Sequence, residues 1–142
     1  MTSIAPMTFD TKIIIVVRTD LATWQKLNIA SFLAGGLVGS YPELAGKCYA
    51  DASGKSYGPL IRQPILIFAA TGDDLKKILD RATGRELQPS IYTRELFSTG
   101  NDTDNRAAVA AVPTEDLDLV GIALHAERKL VDKIVKGLSL HP

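Results

Sequence analysis

The stretch KIIIVVRT, Lys12 to Thr19, decides the fold class. Five consecutive β-branched aliphatics, Ile13 to Val17, stand between a lysine and an arginine. A strand wetted on one face alternates apolar with polar residues. A continuous run of this length reads as an interior strand covered on both faces. Helices are then expected on either side of it.

The first follows at once in DLATWQKLNIASFLAGGLVGS, with a helix predicted from about Thr23 to Val38. Thr23 is placed to cap it, and Gly35, Gly36 and Gly39 weaken and then end it. On a helical wheel Gln25, Asn28, Gly35 and Gly39 share a narrow polar or small side. Leu27, Ala34 and Val38 form one apolar stripe; Ile29, Leu33 and Leu37 form another, with Lys26 beside it. A helix apolar around most of its circumference is expected to be buried on more than one side, by the sheet and by other protein such as a second subunit.

Further along, Cys48 to Leu60 alternates aromatic and polar residues around Ser53-Gly54, which reads as a small hairpin or excursion. PILIFAA, Pro64 to Ala70, is a second central strand. TGDDLKKILDRATG is the clearest helix: Thr71 and Asp74 offer a capping box, and Leu75, Ile78, Leu79 and Ala82 share a face. Asp73–Lys77 and Lys76–Asp80 are i,i+4 pairs, and Gly84 is the stop. PSIYTREL, Pro89 to Leu96, is a short strand running into a polar loop. RAAVAAV, Arg106 to Val112, reads as a strand or a short helix. LVGIAL, Leu119 to Leu124, is an apolar strand, followed by a helix that buries Leu130, Val131, Ile134 and Val135 and ends at Gly137. Strands alternating with helices predict an α/β fold with helices on both faces of a mixed sheet.

The 142 residues have room for one domain, expected over 12–142 behind a flexible leader at 1–11. A 46% hydrophobic and 23% charged content excludes wholesale disorder. Sixteen basic and sixteen acidic residues cancel, so there is no bulk positive field for DNA or an anionic membrane. The single cysteine, Cys48, excludes an internal disulfide and a cysteine-rich metal site. With no basic residue before Lys12, no signal-type apolar region and no run of 18 apolar residues, the expected location is cytoplasmic.

Several residues are candidates for chemistry. Lys26, in the opening turn of the first helix, has an ammonium that can hold a phosphate or steady an oxyanion; the competing reading is a lysine snorkelling off apolar surface. Asp20, just after the first strand, can orient Lys26 or a water, or simply shape the turn. Arg94-Glu95 ends a strand, and the next loop offers Ser98, Thr99, Asn101, Asp102, Asp104, Asn105 and Arg106. Carboxylates that align water and amides or hydroxyls that hold a carbonyl are what a hydrolase needs, and ordinary polar loops contain them too. The loop lacks calcium-loop spacing, so no metal is assigned. Neither glycine-rich phosphate motif is present. His125 reads as structural or simply exposed, and Trp24 as core or interface, with a stacking surface as the alternative.

At VVRTDL, residues 16 to 21, and the Lys26 helix after it, the chain resembles type II peptidyl-tRNA hydrolase. The ending VGIALHAERKLVDKIVKGL, Val120 to Leu138, is similar to that family's last strand and helix. QKLN, ASFLAGG, Asp51 with Gly54, PLIRQP and ELFSTGNDTDNRAA more closely resemble an uncharacterised bacterial family of the same fold group, over nearly all residues from Lys12 onward. The resemblance implies a three-layer α/β/α sandwich with a four-stranded mixed sheet, commonly a homodimer. It also implies hydrolysis of the ester between a peptide and transfer RNA, without metal or cofactor. The family's catalytic lysine corresponds to Lys26, and its arginine–aspartate pair to Arg94-Glu95. Its short threonine loop is replaced here by the stretch from Phe97 to Asp118, with Thr99, Thr103 and Thr114 as candidates.

The leading expectation is therefore an ester hydrolase with Lys26, Glu95 and Asp20 as catalytic groups. Asn28, Arg94, Thr99, Asn101, Asn105 and Arg106 would bind the substrate, either peptidyl-tRNA or a small phosphate-containing ligand. The alternatives are a non-catalytic small-molecule or nucleotide-binding protein using the long loop as a lid, and a homodimeric partner-binding protein.

Overall fold

The computed structural model describes residues 9–142. Strand β1 (Thr11–Arg18) lies at the centre of a five-stranded mixed sheet. It pairs in parallel with β4 (Ile65–Ala70) and antiparallel with β6 (Leu119–Glu127). The outer strands are β5 (Ser90–Thr93) beside β6 and β7 (Ser139–Leu140) beside β4, giving the order β5-β6-β1-β4-β7. The four-strand expectation is thus corrected. The added strand, β7, has only two residues, too few to carry a period.

Both faces of β1 are buried, as its composition demands. Ile13, Ile15 and Val17 point to one side, where α1 (Thr23–Ser40) contributes Ile29, Leu33 and Leu37. Ile14 and Val16 point to the other, against α2 (Gly72–Thr83) and α4 (Arg128–Ile134). Helices therefore sandwich the sheet. The strands β1 and β4 are parallel, yet their following helices α1 and α2 cover opposite faces.

Local signals explain most ends. Thr71 caps α2: its Oγ1 accepts from Asp74 N at 3.2 Å, and its own N–H donates to Asp74 Oδ2 at 3.3 Å. Gly84 follows the helix, as expected. The expected pairs Asp73–Lys77 and Lys76–Asp80 are not among the ion pairs of the described residues; Lys76 reaches Glu115 O instead, at 3.5 Å. At α1 the cap is Ala22 rather than Thr23, and Gln25 Oε1 accepts from the Ala22 N–H at 3.0 Å.

Strand β5 stops at Thr93, and Arg94–Ser98 turns as a 3-10 helix instead of extending the strand. The ambiguous alanine segment belongs to α3 (Asp102–Ala110), capped by Asn101 Oδ1, which accepts from Asp104 N at 2.8 Å. The hairpin forms as β2 (Tyr49–Ala50) and β3 (Ser56–Tyr57). The leader expected at 1–11 falls largely outside the described residues. Phe9 is held by Arg128, whose Nη2 donates to Phe9 O at 2.7 Å, and Thr11 already belongs to β1.

The helix α1 departs from expectation in one respect. Ile29, Leu33 and Leu37 are buried, and Ala34 and Val38 of the second apolar stripe are partly buried against the same core, but its Leu27 is 65% exposed. The reason is geometric. The sheet covers one side of α1, and among the described residues no other element lies over Leu27.

Candidate functional site

A groove runs along the β5 edge of the sheet between α1 and α3. Ser90, Ile91 and Tyr92 line it from β5, Phe32 and Gly36 from α1, and Asn105, Arg106 and Val109 from α3; this part encloses about 550 Å³. A second lobe of about 320 Å³ shares Phe32, Tyr92, Leu96 and Asn105 and adds Asn28, Thr99 and Asn101. Gly36 widens the wall of α1, because a side chain there would start 3.5 Å from Ser90 Oγ.

Aromatic rings fill the floor and flank. Trp24 meets Phe97 edge-on at 5.6 Å, Phe97 meets Tyr92 at 5.1 Å, and Tyr92 meets Phe32 at 6.0 Å. These spacings suit favourable ring contacts and leave ring faces that a flat ligand can stack upon. Asn28 Nδ2 donates to the Tyr92 hydroxyl at 3.1 Å, and burial pushes the Tyr92 phenol up while that bond draws it down. The Thr99 hydroxyl contacts Asn105 Oδ1 and lies 3.0 Å from Leu96 O. The two charged residues of the groove neutralise each other, since Arg106 pairs with Asp102 one helical turn away.

Five of the expected substrate-binding residues, Asn28, Thr99, Asn101, Asn105 and Arg106, therefore line this groove. The expected catalytic residues lie elsewhere. Lys26 borders a separate cavity of about 240 Å³ with Val17, Leu27, Ala30, Ile67, His141 and Pro142, on the β4 and β7 flank of α1. Lys26 and Asn28 are two residues apart on a helix, which turns them about 200° from each other. They address opposite flanks. Glu95 is exposed, and its side chain forms no ion pair among the described residues.

Asp20 and Arg94 belong to an ion-pair cluster at the carboxyl end of β1. Arg18 Nε donates to Asp20 Oδ1 at 2.7 Å and Arg18 Nη1 to Asp118 Oδ1 at 3.0 Å; Arg94 Nε donates to Asp118 Oδ2 at 2.9 Å. The hydrogen bond from Arg18 holds the Asp20 carboxyl below the usual carboxylate range. The Arg18 guanidinium lies against the start of α2, close enough that a Cβ on Gly72 would stand 3.1 Å from it. Asp118 also accepts the Arg94 N–H at its backbone oxygen, 3.0 Å away, so the chain from Arg94 to Asp118 returns to its own starting point.

The apolar wall of the groove was not foreseen from sequence. Phe32 and Gly36, four apart on one flank of α1, and Val109, four after Asn105, are the signals that mark it in retrospect. Among the described residues there is no cluster of three or more metal-ligating side chains, and no helix is long and apolar enough to cross a membrane.

Comparison with known proteins defines the class first: an α/β chain in a family described as proteins of unknown function. The chain belongs to the DUF2000 family, whose profile matches residues 11–142. It is similar to a solved structure of a protein of unknown function from Agrobacterium tumefaciens strain C58. The two are 44% identical, with a TM-score of 0.92, over 95% of this chain and all of that one. No curated protein matches.

Proposed function

We propose that this chain is a small-molecule-binding protein whose ligand sits in the groove between α1, β5 and α3. One observation carries the reading: a large concave space bordered by stacked aromatic rings and a few amide and hydroxyl groups, with its only charges paired to each other. Mostly apolar pockets with a few placed polar groups are the usual form of ligand sites. The ligand that fits has a flat apolar body and an uncharged hydrogen-bonding end that meets Asn28, Ser90 or Asn105. A phosphate-bearing ligand or peptidyl-tRNA draws less support, because Arg106, the cation of the groove, is already neutralised by Asp102.

Ester hydrolysis also draws less support from this geometry. Lys26 borders the cavity on the β4 flank of α1 while Asp20 is tied into the Arg18 ion pair, and a general base must come within hydrogen-bond reach of the water it activates. The link to type II peptidyl-tRNA hydrolase rests on the likeness of residues 16–21 and 120–138.

Titration with the neutral solvatochromic dye Nile red tests the binding reading. Saturable binding is expected, weakened at least about tenfold by Gly36→Leu, which extends a side chain across the groove toward Ser90. Absence of saturable binding, or equal affinity in the variant, would reject the groove as the site.

A further inference from the structure

Among the described residues, two surfaces are apolar and exposed. One is the outer face of α1, where Trp24 is 60% and Leu27 65% exposed and Ser31, Gly35 and Gly39 continue the strip. Lys26 is the single ionisable residue of this helix, and it borders the cavity on the β4 flank, so the outer face is uncharged. The other surface is the β2–β3 arm. Every residue from Lys47 to Leu60 is exposed, including the cross-strand pair Tyr49 and Tyr57 and the apolar Leu60.

The arm holds its own shape. Asp51 Oδ1 accepts from Ser53 N at 2.9 Å and Lys55 N at 3.0 Å, and Asp51 Oδ2 accepts from the Tyr57 hydroxyl at 2.6 Å. An isolated two-stranded hairpin is marginal in water, so this internal network replaces support from the domain body. Tyr49, Tyr57 and Leu60 gain no burial from it.

We propose that a second copy of this chain covers both surfaces. The two α1 helices pack antiparallel about a two-fold axis near Ser31 and Gly35, and each arm lies over the amino-terminal end of the other α1. Such an axis sets Leu27 opposite Gly39 of the partner subunit and Ser31 opposite Gly35 of the partner subunit. A Cβ on Gly35 or Gly39 would meet nothing within 4 Å in the single chain. Glycine is the poorest helix former after proline, and within one chain neither position has a packing reason for it. In the pair, both leave room for Leu27 and for close approach of the helices. The arm follows the carboxyl end of α1 through the Pro42–Leu44 turn, so antiparallel pairing carries it toward the partner's Trp24.

The area is sufficient. Large apolar side chains cover roughly 150–250 Å² each when fully buried. Trp24, Leu27, Tyr49, Tyr57 and Leu60, each about half exposed, then supply roughly 500 Å² per chain. The pair buries about 1,000 Å² from these alone, the threshold for a specific interface, before the Ser31–Gly39 strip is added. The contact is self-complementary and closes, because each copy offers a helix face and an arm.

Light scattering of the whole chain at micromolar concentration is expected to give twice 15.3 kDa. Leu27→Asp changes a residue exposed in the single chain, so it should leave the circular dichroism spectrum intact and weaken association at least about tenfold. Ser31→Cys, in a Cys48→Ser background, should be captured as a covalent dimer by a short bismaleimide, because residue 31 lies beside the axis. Cys48 of the unmodified chain should not, because the arms sit at opposite ends of the helix pair. A single-chain mass overturns the proposal. A dimer indifferent to Leu27→Asp, or one that cross-links through Cys48 and not through Ser31→Cys, overturns the arrangement.

Discussion

Gly121 of β6 lies directly beneath Ile29 of α1: a Cβ on Gly121 would stand 2.4 Å from Ile29 Cγ2 and 3.0 Å from Leu33 Cδ1. The absent side chain lets α1 settle onto the centre of the sheet, between strands that pair Gly121 with Val17 on one side and Tyr92 on the other. The groove depends on this depth, since Phe32 and Gly36 hang from the same helix.

Gly121→Ala is therefore expected to destabilise the protein by about 1–3 kcal/mol, the usual range for overpacking a close-packed interior. Urea unfolding followed by circular dichroism checks it. An unchanged midpoint would mean that α1 moves outward without resistance.

Asp118 anchors two arginines, and Asp118→Ala releases both. The pairs are partly exposed, with side-chain exposures of 22% for Arg18, 42% for Arg94 and 40% for Asp118, so the expected loss is about 1 kcal/mol. The larger effect should be local. Residues 95–117 should become more open to limited proteolysis while the sheet stays folded. Equal cleavage rates in variant and wild type would deny Asp118 this fastening role.

His125 gives the protein an acid-sensitive contact. Its Nε2 lies 2.9 Å from Thr11 Oγ1, its ring meets Tyr41 edge-on at 4.6 Å, and Nδ1 is buried with no hydrogen-bond partner among the described residues. Burial lowers its pKa from 6.5; Glu43 opposes that shift and Arg62 adds to it. The unfolded chain then binds the proton more readily than the folded one. The contribution is fully present above the unfolded pKa and is lost as pH falls from there toward the folded value. Denaturant unfolding at pH 7.5 and pH 5.5 should show a loss in wild type that is smaller in His125→Gln. Equal losses would remove His125 as its source.

The central layer could be read from the chain because its signals are local. β1 is apolar on both faces since both are buried, and α2 carries its cap at Thr71 and Asp74 and its core face at Leu75, Ile78, Leu79 and Ala82. β7 could not be read, because two residues have no period and their strand state comes entirely from pairing Ser139 with Ala69 and Leu140 with Phe68. α3 was ambiguous over its alanines, although the Asn101 cap was there to be seen. The polar half of the groove was legible as a run of loop residues. Its apolar half was not, because Phe32, Tyr92 and Val109 come together from three distant segments. Lys26, expected to face the same crevice from the mouth of the first helix, lies on the other flank of α1 from Asn28, because the turn of the helix separates the two.

The 25-residue passage that begins at Arg94 and ends at Asp118 is stitched shut where it leaves and rejoins the sheet, so its exposed stretch from Gly100 to Asp104 can vary in length while Phe97, Val109, Val112 and Leu117 keep their places against the core. Doubling the length of such a closed loop costs only about 0.6 kcal/mol in closure entropy, and nothing in the register of β5 and β6 depends on its contents. A descendant of this chain can reshape that exposed rim, and with it the mouth of the groove, while the sheet and its buried contacts stay in place.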